Sequence, residues 1–496
     1  MNPKSPPKPS AGLFSAGKRY VFALGAVVVG FALVRLPGLF NDLWLDEIWS
    51  INLVSTISAP WEILTKLHHD NNHPLNSLFI YLMMPVEADW MYRLFSWCAG
   101  SATVWLAALI AARQYRLLHP TELNGREKIA GIMTAVVVGG AFLLIHYSSE
   151  ARGYAPALAF GLLALYAMQR ATENCWVRWA VLYGVGCVLG LLSHLATIQV
   201  MIAGVGWTGC ALFREHGPWR VRLTRAIGWH LGPWLFFMAY YLGFVRKMEI
   251  GGGTENPLIE VLNQVAVFTL GFPVSLGWVA LPVFFSALFA SLILIGRRST
   301  KLGVFYGLVI LVTPVLGMLF SRFTLLFPRY FFISVGFALL ILGYGLVRLW
   351  FRQWGLRIMV ATGLALFILG NGLNVSRLWH NGRGQYRVAL REIAARTPFA
   401  EITIGSDHDF RNYMLVDYYR VVVGPSQKII YYPTNQQPPW GVQWLLLHRL
   451  DGDSAPAAKI TDAKGNRYVQ ERFYSHAPLS GWDWYVYRNE QLRPTG

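Results

Sequence analysis

Long apolar stretches follow one another along most of this 496-residue chain, and they constrain its fold more than any other feature. A helix needs about 17–25 mostly apolar residues to cross a bilayer, and about eleven stretches reach that length. They lie near residues 20–40, 90–112, 129–149, 153–169, 177–193, 195–213, 226–245, 279–296, 303–321, 330–348 and 355–373. Because lipid offers backbone groups no hydrogen bonds, such spans form helices. The sequence predicts a mainly α, polytopic transmembrane helical bundle.

Two further stretches leave the number of spans open. Residues 74–86 are too few to cross the hydrocarbon core without tilt, and residues 261–278 are interrupted by polar residues, glycine and proline. If both stretches crossed the membrane, they would raise the number of spans from about eleven to about 13. The positive-inside rule favours eleven, because the basic clusters at 113–128 and 214–225 then lie on the cytoplasmic side. We therefore expect a cytoplasmic N-terminus and an extracytoplasmic C-terminus.

The composition indicates an integral membrane protein, which we expect in a plasma or inner membrane, in contact with membrane lipids. The chain is 54% hydrophobic and 14% charged, whereas about a quarter of the residues in a soluble chain are charged. The net charge of +17 is spread over short loops between spans. No soluble segment carries a basic stripe interleaved with aromatic residues. The sequence thus argues against nucleic-acid binding.

Three regions follow from hydropathy. Residues 1–18 are predicted to be a disordered cytoplasmic N-terminus, 19–374 a transmembrane domain, and 375–496 a small soluble α/β domain outside the membrane. The pattern in this last domain predicts helices over 386–396 and 408–420 and strands over 401–405, 428–432, 442–450, 468–474 and 482–488.

The most informative polar residues are Asp46 and Glu47, which follow the first apolar stretch directly. An ionised carboxylate at a membrane surface loses hydration and needs a partner. Neighbouring residues cannot share one helical face, so we expect one carboxylate to act on substrate as a general base and the other to pair with a cation or hold a loop. The alternative is a solvated, inert pair at a helix end.

A second polar segment, His68–Pro74, includes a helix-like spacing of two histidines. Pro74 disfavours helix at His73, so His73 is expected just before a helix that begins at Pro74. This makes a polar substrate-binding loop a better hypothesis than a transition-metal site. No cofactor is indicated with certainty, and dependence on a divalent metal is left open.

Further charged residues are expected on the same side of the membrane. Glu150 and Arg152 join two spans almost without a loop; they either neutralise each other or face a substrate beside Asp46. Arg322 and Arg329 flank another short link, where a guanidinium suits either the phosphate of a lipid carrier or lipid headgroups. Arg329 opens a span together with Tyr330 and is the stronger candidate. The lone His194 is expected to be structural.

These motifs, taken in order, resemble a known family. Trp44-Leu45-Asp46-Glu47 after the first span, Asn72-His73-Pro74-Leu75, Glu150-Ala151-Arg152-Gly153-Tyr154 and Arg329-Tyr330 are similar to motifs of membrane glycosyltransferases of the C-type fold. The resemblance is greatest to the protein O-mannosyltransferase and aminoarabinose-transferase-like superfamily, and it covers residues 20–373.

The resemblance implies an enzyme that takes a sugar from a polyprenyl-phosphate donor and passes it to a lipid, glycan or protein acceptor at the outer membrane face. It also implies that Asp46 is the base or the carboxylate that orients the acceptor. Leu75 departs from the family pattern, which often has a second proline or a lysine there, so the phosphate contact must come from elsewhere. The C-terminal domain matches no motif.

Three other functions remain as alternatives. A secondary transporter would use the charges as an ion path, but transporters tend to show repeats and charges near the midplane. A receptor whose soluble tail does the work would leave Asp46 and Glu47 unexplained. A lipid-linked oligosaccharide polymerase or ligase is the nearest enzymatic alternative.

Overall fold

The computed structural model describes residues 11–170, 176–214, 218–252, 255–321 and 326–492, and within them the chain is mainly helical. The helices are α1 Ala11–Arg35, α2 Leu45–Ser55, α3 Glu62–Thr65, α4 Pro74–Met83, α5 Asp89–Tyr92, α6 Leu94–Leu118, α7 Arg126–Gly140, α8 Phe142–Tyr147, α9 Tyr154–Arg170, α10 Trp176–Ser193, α11 Ile198–Arg214, α12 Trp219–Gly243, α13 Leu258–Leu270, α14 Gly277–Gly296, α15 Thr300–Gly307, α16 Thr313–Ser321, α17 Phe332–Trp350, α18 Trp354–Asn381, α19 Tyr386–Ala395 and α20 Asp409–Tyr419.

The prediction of a polytopic helical membrane protein is confirmed. All eleven predicted stretches coincide with helices, and eight helical segments of the described residues are long and apolar enough to cross a membrane. The stretches outside those eight correspond to α7 with α8, to α9 and to α12. Helix α17 is the most enclosed of the eight, and many of its residues belong to the large apolar core.

One predicted span is broken. The stretch 129–149 divides into α7 and α8 at Ala141, whose backbone is extended. The amide of Phe142, freed by this break, donates to Oδ1 of Asn371 on α18 at 2.7 Å. A backbone break inside a bundle is tolerated when a neighbouring side chain pairs the exposed group, and Asn371 provides that partner.

Both doubtful stretches form short helices. His73 precedes α4, and Pro74 occupies its first turn as predicted. Helix α13 ends at Gly271, which has a left-handed backbone (φ +79°) and lies against the backbone of Gly370. A Cβ at position 271 would meet the amide nitrogen of Asn371 at 2.6 Å, so this position requires glycine.

The C-terminal region is an α/β domain with one six-stranded sheet of order β2-β1-β3-β6-β5-β4. Its strands are β1 Glu401–Ser406, β2 Lys428–Tyr431, β3 Trp444–Arg449, β4 Lys459–Thr461, β5 Arg467–Tyr474 and β6 Asp483–Asn489. Strand β1 is parallel to both β2 and β3, and the other pairs are antiparallel. The five predicted strands are present, whereas the three-residue β4 was not predicted.

The C-terminal domain shares a core with the segment that contains α2 to α4. Buried apolar residues of both regions form one cluster, and the Tyr419 hydroxyl donates to the carbonyl of Leu43 at 3.0 Å. A second attachment is the loop 475–482, which places Ala477 within the core of the helical bundle. The domain is therefore fixed over the end of the bundle where α2 begins.

Candidate active site

The first turn of α2 separates the roles of the two adjacent carboxylates. Glu47 is fully buried and forms a two-point pair with Arg93, with Nε–Oε1 at 2.7 Å and Nη2–Oε2 at 2.6 Å. It also accepts from the backbone amides of Trp44 (3.2 Å) and Ala151 (2.7 Å). All its acceptor capacity toward substrate is thus used inside the protein. Glu47 therefore has the contacts expected of the second carboxylate, the one that pairs with a cation, and not those expected of a general base.

Asp46 has a different environment. Its side chain remains 13% exposed, and Oδ2 lies 3.1 Å from Nη1 of Arg152 and 3.4 Å from Nη1 of Arg329. The three residues come from α2, from the α8–α9 link and from the start of the segment leading into α17. Folding therefore brings one accessible carboxylate between two guanidinium groups.

Arg152 is held in place by the polar segment before α4. Its Nη1 donates to Oδ1 of Asn71, and Nη2 donates to the Tyr154 hydroxyl at 3.3 Å. The amide of Asn71 donates in turn to the backbone carbonyl of Asp46 at 2.7 Å and to Ser50 at 2.9 Å. Nε of Arg152 is buried and has no partner among the described residues. This arrangement fixes the guanidinium beside Asp46 and leaves one donor for a ligand.

Arg329 lies among aromatic rings. Its guanidinium carbon is 4.3 Å from the ring centre of Phe327, 5.8 Å from that of Tyr330 and 5.9 Å from that of Trp44. Within the described part of the chain, its buried Nε is also without a partner. Tyr330 thus lies beside the site as a support for Arg329. Arg322, predicted alongside Arg329, lies outside the described residues.

Two histidines complete this end of the bundle. The rings of His73 and His194 are stacked with centroids 5.1 Å apart, and Tyr154 lies 5.6 Å from the first and 4.8 Å from the second. Nδ1 of His194 accepts from the amide of Ala196 at 3.0 Å, which places the proton of the neutral ring on Nε2. Nε2 of His73 is buried without a partner among the described residues.

Gly153 permits this close packing. A Cβ at this position would lie 1.8 Å from the carbonyl oxygen of Ser193 and 3.0 Å from the Cβ of His73. Any side chain here would push the Glu150–Tyr154 link away from His73. We therefore attribute the close approach of Arg152 to the histidine pair to this glycine.

Glu150 lies elsewhere, contrary to its predicted place among the substrate-binding residues. It is fully buried, and its Oε1 accepts from Nε of Arg383 (3.0 Å) and from the Ser480 hydroxyl (2.7 Å). Nε2 of His146 lies 3.2 Å away. These contacts join the bundle to the C-terminal domain. Since burial makes an unpaired charge costly, Arg383 explains why this carboxylate can be buried.

The charges around Asp46 favour an anion over a metal ion. No three His, Cys, Asp or Glu side chains of the described residues are grouped closely enough to hold a metal. Two guanidinium groups lie within 4 Å of the Asp46 carboxylate, where a cation would be repelled. The unpartnered nitrogens of Arg152 and Arg329 are donors suited to an oxyanion.

Solved structures provide a comparison for this architecture. The chain matches ArnT from Cupriavidus metallidurans in its apo state at a TM-score of 0.51 and 13% identity, over 88% of this chain and 94% of that chain. The same ArnT bound to undecaprenyl phosphate matches at a TM-score of 0.48 and 13% identity, over 94% of this chain and 97% of that chain. The S. cerevisiae protein O-mannosyltransferase Pmt1-Pmt2 complex bound to the sugar donor matches at a TM-score of 0.35 and 17% identity, over 49% of this chain and 36% of that chain.

The chain has the C-type glycosyltransferase fold. No protein-family model and no curated protein sequence matches it. The fold predicted from the motif order is therefore confirmed by shape, at an identity too low to assign a donor or acceptor.

Several residues of this candidate site were not predicted from the sequence. Asn71 lies inside the polar segment that had been singled out, yet nothing marked it as the residue between Arg152 and α2. Arg93 lies at the end of an apolar stretch and Arg383 in the segment before α19, and no local pattern marks either of them. Their roles depend on long-range contacts, which local pattern cannot show.

Proposed function

We propose that this protein is a membrane glycosyltransferase that takes a sugar from a polyprenyl-phosphate-linked donor and transfers it to a lipid, glycan or protein acceptor at the outer face of the membrane. The observation that carries the proposal is the accessible Asp46 carboxylate, which contacts both Arg152 and Arg329. It combines a base for an acceptor hydroxyl with cations for a departing phosphate.

The donor phosphate would bind on the arginine side of this cluster. Guanidinium groups form charge-assisted, directional hydrogen bonds to phosphate oxygens. Arg152 and Arg329 each have a buried Nε without a partner in the described chain, and the Nε2–H expected on His194 lies nearby in the stack with His73. These groups supply the phosphate contacts that a lysine at position 75 would otherwise provide, since Leu75 cannot bind a phosphate.

Donor binding would also free the Asp46 carboxylate from its two arginine partners, so that it can act as a base. A phosphate that engages Arg152 and Arg329 competes with the carboxylate for the same N–H groups. Asp46 can then accept the proton of the acceptor hydroxyl while that oxygen bonds to the anomeric carbon. The bond from this carbon to the phosphate oxygen breaks, and polyprenyl phosphate leaves with its negative charge held by the two arginines.

Binding of undecaprenyl phosphate, the lipid seen on ArnT, tests the phosphate side of this proposal. We expect Arg329→Gln to weaken binding by about 10–100-fold, the loss expected for one charged hydrogen-bonding partner. Affinity is measured on full-length protein in nanodiscs, with undecaprenol as the lipid that lacks phosphate. Arg246→Gln is the matched control, since Arg246 is exposed on a short turn after α12.

Equal losses in Arg329→Gln and Arg246→Gln would reduce Arg329 to a lipid headgroup contact. Equal affinity of the wild-type protein for undecaprenyl phosphate and undecaprenol would remove the phosphate site altogether.

A further inference from the structure

The C-terminal domain extends over the carboxylate of the candidate active site. At the start of α20, the ring of Phe410 lies edge-on to Trp49 with centroids 5.2 Å apart. Trp49 follows Asp46 by three residues, so the two share one face of α2. The beginning of α20 therefore packs against α2 one turn along that helix from Asp46.

The same end of α20 coincides with a topological switch point of the sheet. Strand β1 lies between β2 and β3 and is parallel to both, so the next two strands of the chain add to opposite sides of β1. In open α/β sheets, ligands bind beyond the carboxyl ends of strands at such a point. Here β1 is followed by Asp407 and His408, and β3 ends with His448 and Arg449.

Arg411 is the cation at this edge. Its Nη1 lies 3.0 Å from Nε2 of His448, and its guanidinium carbon is 5.7 Å from the ring centre of Trp482. Nδ1 of His448 lies 2.8 Å from Asp407, so Nε2 is the atom that accepts from Arg411. The other oxygen of Asp407 pairs with Arg449 at 3.0 Å. No carboxylate of the described residues is within 4.0 Å of Arg411.

Three carboxylates act on the charge of Arg411 without pairing with it, and Asp46 is one of them. Partial burial lowers the pKa of Arg411, and the negative charges of Asp407, Asp453 and Asp46 act in the opposite direction. Asp407 is already neutralised by its own partners, and Asp453 accepts from the amide of Leu450. A half-buried guanidinium with unfilled donors is suited to a planar or tetrahedral oxyanion.

We propose that Arg411 binds an anionic group, a phosphate or a carboxylate, carried by the acceptor. The acceptor then spans from the carboxyl edge of the sheet to Asp46, with the rings of Trp49 and Phe410 along its path. The assignment of this anion to an acceptor rests on the proposed function, whereas the anion site itself does not. The C-terminal domain thereby selects acceptors by charge.

Protection of Arg411 from an arginine-specific reagent tests the site. Full-length protein in nanodiscs is treated with 2,3-butanedione, and the modification rate of each arginine is read by peptide mass spectrometry. The probes are glucose 6-phosphate, glucuronic acid and uncharged glucose. We expect an anionic sugar at about twice its Kd to slow modification of Arg411 roughly threefold, and glucose to have no effect. Arg420, exposed at the far end of α20 and paired with Asp417, should be unaffected.

The outcomes separate the two proposals. Protection by glucose 6-phosphate alone identifies a phosphate, and protection by glucuronic acid alone a carboxylate. Equal protection by glucose, or none by either anion, overturns the anion site even if undecaprenyl phosphate binds as proposed. Conversely, protection of Arg411 in a protein that ignores undecaprenyl phosphate leaves the anion site standing and rejects the proposed donor. In the supporting case, Arg411→Gln loses glucose 6-phosphate binding but keeps its affinity for undecaprenyl phosphate.

Discussion

Asp46→Asn should lower the rate of sugar transfer by about 10²–10⁴-fold, the usual effect of losing a general base. The amide keeps the size of the side chain and can still accept a hydrogen bond, but it cannot take a proton from the acceptor hydroxyl. Stability should fall less than in a substitution of the fully buried Glu47, because the Asp46 site is partly exposed and water offsets part of the charge lost opposite Arg152 and Arg329. The measurement is release of polyprenyl phosphate from donor-rich membrane lipid by purified protein in nanodiscs, with thermal unfolding followed in parallel.

Asp417→Asn is a matched control for this substitution, since Asp417 is partly exposed on α20 and, among the described residues, forms an ion pair with Arg420 alone. It should transfer sugar at the wild-type rate. A folded Asp46→Asn protein that keeps more than about a tenth of wild-type turnover would contradict a base role for Asp46.

Glu47→Gln should instead destabilise the protein, by about 3–5 kcal/mol. Both Glu47 and Arg93 are fully buried, so removing the carboxylate charge leaves the guanidinium without compensation inside the protein. We expect a large fall in the thermal unfolding midpoint and in the yield of folded protein, and a smaller fall in turnover for each folded molecule.

Glu62→Gln provides the matched control. Glu62 pairs with Lys66 one helical turn away, at a site where the lysine is largely exposed. Ion pairs at such exposed sites contribute little to stability, so the thermal unfolding midpoint should hardly change. If Glu47→Gln were as stable as this control but as inactive as Asp46→Asn, Glu47 would be a catalytic residue and its role here would have to be reversed.

The helical part of the fold was predictable because hydropathy and span length are local properties. Each apolar stretch became a helix, and His73 with Pro74 marked the start of α4. The break at Ala141 could not be predicted, because it depends on Asn371, which is distant in sequence and supplies the missing hydrogen bond. Strand β4 was not predicted because three residues are too few to show an alternation of apolar and polar residues.

The candidate site was predictable only in part, and for a similar reason. Charged residues at span ends drew attention to Asp46, Arg152 and Arg329, which the fold brings together. Glu150 had the same sequence signal, yet it pairs with Arg383 and faces the C-terminal domain. Which of two neighbouring charges meets the site depends on where its partner lies, and composition alone does not contain that information.

The most direct test of the central claim is the profile of polyprenyl-phosphate lipids in cells that lack this protein. If the protein consumes a lipid-linked sugar donor, deletion should cause one polyprenyl-phosphate sugar to accumulate, as measured by mass spectrometry of lipid extracts. A plasmid with the wild-type gene should return that lipid to its normal level, and one with Asp46→Asn should not. An unchanged lipid profile, or full restoration by Asp46→Asn, would contradict the account.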